Sequence, residues 1–211
     1  MNDYAGVELL CKRYPELNTI KAKIMAAISE MIKTYQNGGK VLLCGNGGSC
    51  ADADHIVGEL MKGFCKKRPL PPELRSKLER YDCTCAIAEK LQQPLRAINL
   101  GQHQSLTTAF SNDVDAGLCF AQQALGYTDQ NDVFIGITTS GNAQNVYTAA
   151  VVAKAMGAVI IGLTGESGGK IAGLCDVLLN VPERETYRVQ ELHLPVYHTL
   201  CLAVEEYFFK L

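Results

Sequence analysis

VLLCGNGGSCADADH, residues 41–55, decides how the rest of the chain is read. Val41 to Cys44 form a short apolar run of the kind that makes a buried strand. Gly45, Gly47 and Gly48 then fall within five positions, and Ser49 follows before the pattern turns helical. Glycine admits positive φ and lets a ligand come close to the backbone amides. A helix start adds exposed N–H groups and the positive end of the dipole, which together suit an anion. The stretch therefore reads as strand, glycine-rich turn and helix, the helix running from Ser49 to about Phe64 with Ser49 as its N-cap. A tight turn with an ordinary serine cap explains the same residues, so this stretch alone leaves phosphate binding and plain turn chemistry equally open. Two nucleotide devices are excluded. GNGGS lacks a GK[ST] ending, and no acidic residue closes a strand about 20 residues on.

Outward from this turn, a second one of the same kind stands at GITTSGNAQNV, residues 136–146. Thr138, Thr139 and Ser140 end the strand DVFIGIT, and Gly141-Asn142 leads into a helix closed by Gly157. Hydroxyls at the carboxyl end of a parallel strand lie where open α/β sheets bind ligands. Two such turns in one sheet favour phosphate-ester binding over coincidental caps. Further strands are read at LRAINL (95–100), AVIIGLTG (158–165) and DVLLNVP (176–182). Helical patterns lie between them, around 103–111 and 113–125 among others. The chain is thus a single α/β domain with a parallel five-stranded sheet and helices on both faces. An N-terminal helical segment covers 1–38, a probable insertion covers 65–93, and one long helix runs from Thr186 to Phe209.

Composition narrows the function classes. The 211 residues are 47% hydrophobic and 20% charged, enough for one substantial core. A net charge of -2 supplies no basic field for a nucleic acid. Lys66, Lys67 and Arg68 are the only compact basic run and read as solvated surface. No apolar stretch approaches the roughly 20 residues of a membrane span, and the N-terminus lacks a secretory layout. Nine cysteines include one close pair, Cys83 and Cys85, while Cys44, Cys119, Cys175 and Cys201 sit in apolar runs. An odd count without export signals points to reduced thiols in a cytoplasmic protein.

His55 and Glu59 are spaced i,i+4, which puts both on one face of the helix after the first turn. Imidazole and carboxylate can ligate a metal or do acid–base work, and a surface pair has the same spacing. The last helix carries Gln190, His193 and His198. Gln190 and His198 are about 12 Å apart along the axis, so they must reach around something between them or act in different subunits. His193 reads as structural. Pro195 predicts a bend near Val189 to Glu191.

Taken together, CGNGGSCADADHIVGEL, SND at 111–113, TTSGN at 138–142, LTGESGGKIAGLCDV and RVQELHLPVYH resemble the sugar-isomerase (SIS) domain. Within that family they are most similar to the bacterial phosphoheptose isomerases. The resemblance covers most of 20–209 and is absent from 65–93. It implies interconversion of sedoheptulose 7-phosphate and D-glycero-D-manno-heptose 7-phosphate by homotetramers with sites shared between subunits. It also implies that Asn46, Gly47, Gly48, Ser49, Thr138, Thr139 and Ser140 hold the sugar phosphate. Asn112 and Asp113 would line the site near the sugar. His55, Glu59, Gln190 and His198 match zinc-binding positions, Glu59 and Gln190 also match substrate-binding ones, and Glu59 and His198 match the acid–base pair. Three departures fall near the site. Lys62 and Gly63 stand where the family has an arginine, Ala143 replaces a usual serine, and 65–93 has no counterpart. A non-catalytic SIS-domain sugar-phosphate regulator or replication-initiation assembly factor is the alternative. Such relatives tend to lose the glutamate and the C-terminal histidine, both present here.

Overall fold

The computed structural model describes residues 5–82 and 84–209. Its strands are β1 (Val41–Gly45), β2 (Ala97–Asn99), β3 (Val133–Thr138), β4 (Val159–Thr164) and β5 (Val177–Asn180). All pair in parallel, in the order β2-β1-β3-β4-β5. Val41 is in register with both Ala97 and Val133. The chain therefore leaves β1 toward β2 and crosses back to β3, and that reversal opens a crevice outside the carboxyl ends of β1 and β3.

The helices are α1 (Ala5–Arg13), α2 (Lys21–Gln36), α3 (Gly48–Met61), α4 (Pro72–Glu79), α5 (Ala86–Lys90), α6 (Gln104–Phe110), α7 (Cys119–Tyr127), α8 (Gln144–Ala155) and α9 (Thr186–Phe208). Alternate strand residues point to opposite faces, and the core divides accordingly. Val41, Leu43, Ile135 and Leu163 pack with Leu10, Ile24, Ile56 and Val196, from α1, α2, α3 and α9. Leu42, Cys44, Phe134 and Ile160 pack with Phe120, Ala124, Val146 and Ala150, from α7 and α8. Helices on both faces are what continuous apolar strands require.

Several sequence readings are corrected. α3 starts at Gly48, and its cap is Gly47 rather than Ser49. The Ser49 N–H already bonds to the Asn46 carbonyl at 3.0 Å, so the cap falls two residues earlier. Ser49 is buried in the first turn and makes no capping bond. Arg68 is not solvated surface. It is 1% exposed, because the Glu205 carboxylate and the carbonyls of Glu59 and Leu60 together satisfy its guanidinium. The long last helix stands where the sequence places it: α9 continues through Pro195, and Thr199 Oγ1 donates to the Pro195 carbonyl at 2.9 Å.

Residues 65–93 hold α4 and α5, and their base is pinched shut. Pro69 bridges Gln92, the Gln93 amide bonds to the Arg68 carbonyl at 2.8 Å, and Gly63 N–H bonds to Gln92 Oε1 at 2.6 Å. Cys83 lies outside the described residues. The eight described cysteines are all free.

Candidate functional site

The two hydroxyl- and glycine-rich turns meet. Asn46, Gly47, Gly48, Ser49, Thr138, Thr139 and Ser140 line one cavity of about 380 Å³, with Ile137, Ala143, Thr186 and Gln190 completing the wall. The cavity lies at the amino ends of α3 and α9 and just before α8, where backbone N–H groups and helix dipoles favour an anion. Gly47 has φ +54° and ψ -121°, which only glycine adopts readily. A Cβ on Gly48 would lie 2.6 Å from Gln190 Nε2, so the bare backbone is what admits the glutamine amide. Asn46 is already engaged. It exchanges two amide bonds of 2.9 Å with Asn145, which ties the first turn to the start of α8.

A second cluster forms between α3 and α9. His55 Nε2 lies 3.3 Å from Glu59 Oε1 and 3.4 Å from His198 Nε2. The other Glu59 oxygen pairs with Lys62 Nζ at 3.0 Å, and the Glu59 side chain is 13% exposed. Tyr197 packs edge-on against both imidazoles, with centroids 5.4 and 5.1 Å away. Burial holds the His198 imidazole below its ordinary pKa, with His55 adding to the effect and Glu59 opposing it. The ring is therefore neutral near pH 7.

Among the described residues, no three His, Cys, Asp or Glu side chains close into a metal-holding group within one chain. Imidazole and carboxylate are nonetheless donor types that zinc takes. Ligands at about 2.0–2.1 Å in a tetrahedron stand about 3.3–3.4 Å apart, and both edges from His55 Nε2 have that length. Gln190 lies elsewhere, with its amide against Gly48 in the phosphate-type cavity. Asn112 and Asp113 are exposed on a turn of π-helix, Ser111–Asp115, and are not among the residues lining that cavity. His193 is fully buried, and burial pushes its pKa down to about 4, with the Thr164 backbone opposing.

Sequence reasoning missed several participants. Thr186 opens α9 and adds a hydroxyl to the cavity wall. Its place beside a helix start was readable, but nothing local tied it to a turn 137 residues earlier. Tyr197 carries no motif signal, since its neighbours in sequence are ordinary core positions. Arg68 was hidden in a basic run.

The comparisons with known proteins identify the family. The SIS-domain family profile matches residues 8–165. A phosphoheptose isomerase of Aneurinibacillus thermoaerophilus is 39% identical over 182 residues, covering 86% of this chain and 80% of that protein. The structure of a phosphoheptose isomerase from Neisseria gonorrhoeae superposes with a TM-score of 0.74 at 31% identity, over 94% of each chain. One from Francisella tularensis gives 0.76 at 29% identity, over 92% of this chain and 91% of its own. The chain belongs to the SIS-domain family and, within it, to the phosphoheptose isomerases.

Proposed function

We propose that this chain interconverts sedoheptulose 7-phosphate and D-glycero-D-manno-heptose 7-phosphate by proton transfer through an enediol. The observation that carries this reading is the convergence of His55 and Glu59, on the helix that the phosphate-type turn opens, with His198 of α9, the His55 Nε2 contacts being 3.3 and 3.4 Å. The phosphate group sits against the turn amides and the hydroxyls of Ser49, Thr138, Thr139, Ser140 and Thr186, with the Gln190 amide beside it. Asn112 and Asp113 serve the sugar end.

Moving a carbonyl between adjacent carbons needs a base for the carbon-bound proton and a carrier for the hydroxyl proton. Glu59 is the base, poised with one oxygen on Lys62 and the other facing His55. His198, held neutral by burial, is the carrier. His55, Glu59, Gln190 and His198 would hold a zinc ion, Gln190 reaching it from the phosphate-type cavity or from another subunit. A bound zinc polarises a carbonyl and stabilises the developing oxyanion.

The chain works as a homo-oligomer, a tetramer with shared sites. What supports this is an apolar groove of about 430 Å³ between α1 and α9, which runs up to His198 and leaves Leu9, Leu194 and Leu202 exposed. No described helix is long and apolar enough to cross a membrane. The free thiols suit a reducing compartment, and the cytoplasm is the proposed location. Incubation with sedoheptulose 7-phosphate, with and without a chelator, tests the reading. Aldose formation that the chelator suppresses supports it, and no conversion by metal-replete protein refutes it. Light scattering coupled to gel filtration tests the tetramer.

A further inference from the structure

We infer that Asn145 is a positioning residue for phosphate-ester binding: it fixes the direction of the Asn46 amide, and with it the first glycine turn, at the wall of the phosphate-type cavity. This rests on the cavity taking a phosphate ester, and it holds whether or not a bound sugar is then isomerised. Asn46 lines the cavity and Asn145 does not, so Asn145 acts through its partner.

A single backbone group settles the orientation of both amides. Asn145 is the second residue of α8, where the first N–H groups of a helix have no partner within it. Ala143 caps the helix without a side-chain acceptor, and the ladder opens with the Tyr147 N–H on the Ala143 carbonyl. The Val146 N–H falls one residue too early for that ladder and donates to Asn145 Oδ1 at 3.0 Å. An N–H has no lone pair, so the atom it meets is the amide oxygen, and the other end of Asn145 is its NH2 group. That group donates to Asn46 Oδ1 at 2.9 Å, and the Asn46 NH2 donates back to Asn145 Oδ1 at 2.9 Å. Flipping either amide would set donor against donor.

The consequence lies in the turn. Gly47 and Gly48 carry no side chains, so of residues 46–48 Asn46 alone can tie the turn to α8 through a side chain. Its backbone is held separately, the Asn46 carbonyl accepting the Ser49 N–H at 3.0 Å. One of the two N–H bonds of the Asn46 amide goes to Asn145, which leaves the other to offer an anion. A free asparagine side chain would be ordered only when the ligand arrives, at a cost in affinity, whereas the Asn145 pair orders it beforehand. Asn46 is exposed and Asn145 half-buried. Water can therefore replace the two bonds, and their loss should cost little stability.

The test is a double-mutant cycle on the full chain. It is read by titration with inorganic phosphate, followed through the amide NMR signals of Gly47 and Gly48, and by steady-state kinetics with sedoheptulose 7-phosphate. Asn145→Ala should weaken phosphate binding and raise KM about three- to tenfold with kcat little changed. In the Asn46→Ala background the same substitution should change neither. A purely structural brace would lower Tm and leave affinity alone, or would act equally in both backgrounds, and either result overturns the inference. Should Asn145→Ala fail to fold, Asn145→Ser is read in the same way, since its hydroxyl serves the helix start but is too short to pair with Asn46. No phosphate binding at the turn by the wild type overturns the inference together with the phosphate reading of the cavity. Phosphate binding that depends on Asn145, in a protein that does not isomerise the sugar, refutes the isomerase reading alone and leaves the role of Asn145 standing.

Discussion

Replacing Glu205 by alanine exposes the account of how α9 is locked to α3. The Glu205 carboxylate, 1% exposed, accepts the amides of Phe64 and Cys65 at 2.8 Å and of Lys66 at 3.2 Å, and the Arg68 guanidinium at 2.8 Å. Arg68 reaches on to the Leu60 and Glu59 carbonyls at 2.6 and 3.1 Å, so one ion pair joins the end of α3, the start of the insertion and α9. Removing the carboxylate leaves a fully buried guanidinium and three amides without their acceptor. Breaking a buried pair from one side costs about 3–5 kcal/mol, a large share of a total stability of about 5–15 kcal/mol. At about 2–4 °C per kcal/mol for a chain of this size, Tm should fall by roughly 6–20 °C. Glu205→Gln, which keeps one acceptor oxygen, should lose less. Arg68→Lys should also lose stability, since a single ammonium nitrogen cannot stand where three separate guanidinium nitrogens reach Glu205, Leu60 and Glu59. Thermal unfolding followed by circular dichroism reads all three variants. A Tm for Glu205→Ala within about 2 °C of the wild type would refute the reasoning.

Three further outcomes follow from other sites. Gly48→Ala places a Cβ 2.6 Å from Gln190 Nε2, so sugar-phosphate affinity should drop about tenfold with little change in Tm, as calorimetric titration would show. His193 titrates at about 4 when folded, against an ordinary 6.5. The unfolded chain therefore binds the extra proton first, and stability should be full above pH 6.5, fall as pH drops, and level off near pH 4 after a loss of about 3 kcal/mol. Urea titrations across that range should show the slope, and His193→Leu should flatten it. Burial raises the Glu205 pKa, but the Cys65 and Phe64 amides and Arg68 outweigh it and hold the group below its ordinary 4.5. A second loss of stability should therefore begin as pH falls below about 4.5.

Much of the fold was legible because parallel strands buried on both faces leave unbroken apolar runs. Val133 to Thr138 and Val159 to Thr164 stand where the sequence places them. The phosphate-type cavity was legible from the pair of hydroxyl- and glycine-rich turns, which together line it, since either turn alone fits ordinary turn chemistry. Side-chain partnerships across long separations were not legible. Arg68 reads as surface until Glu205, 137 residues later, comes to meet it. Tyr197 reads as core until its hydroxyl is seen between Asp52 and His55. Ser49 misled in the opposite direction, because a serine after glycines fits a cap equally well whether the helix starts at it or just before it.

The most direct test of the central claim is proton exchange at the sugar. Sedoheptulose 7-phosphate is incubated with enzyme in deuterated water, and deuterium at the carbon next to the carbonyl is followed by NMR. The account predicts exchange together with aldose formation by the wild type. In Glu59→Gln both should fall by about 10²–10⁴-fold while phosphate-ester binding is retained. Exchange in Glu59→Gln at the wild-type rate would contradict the assignment of that carboxylate as the base.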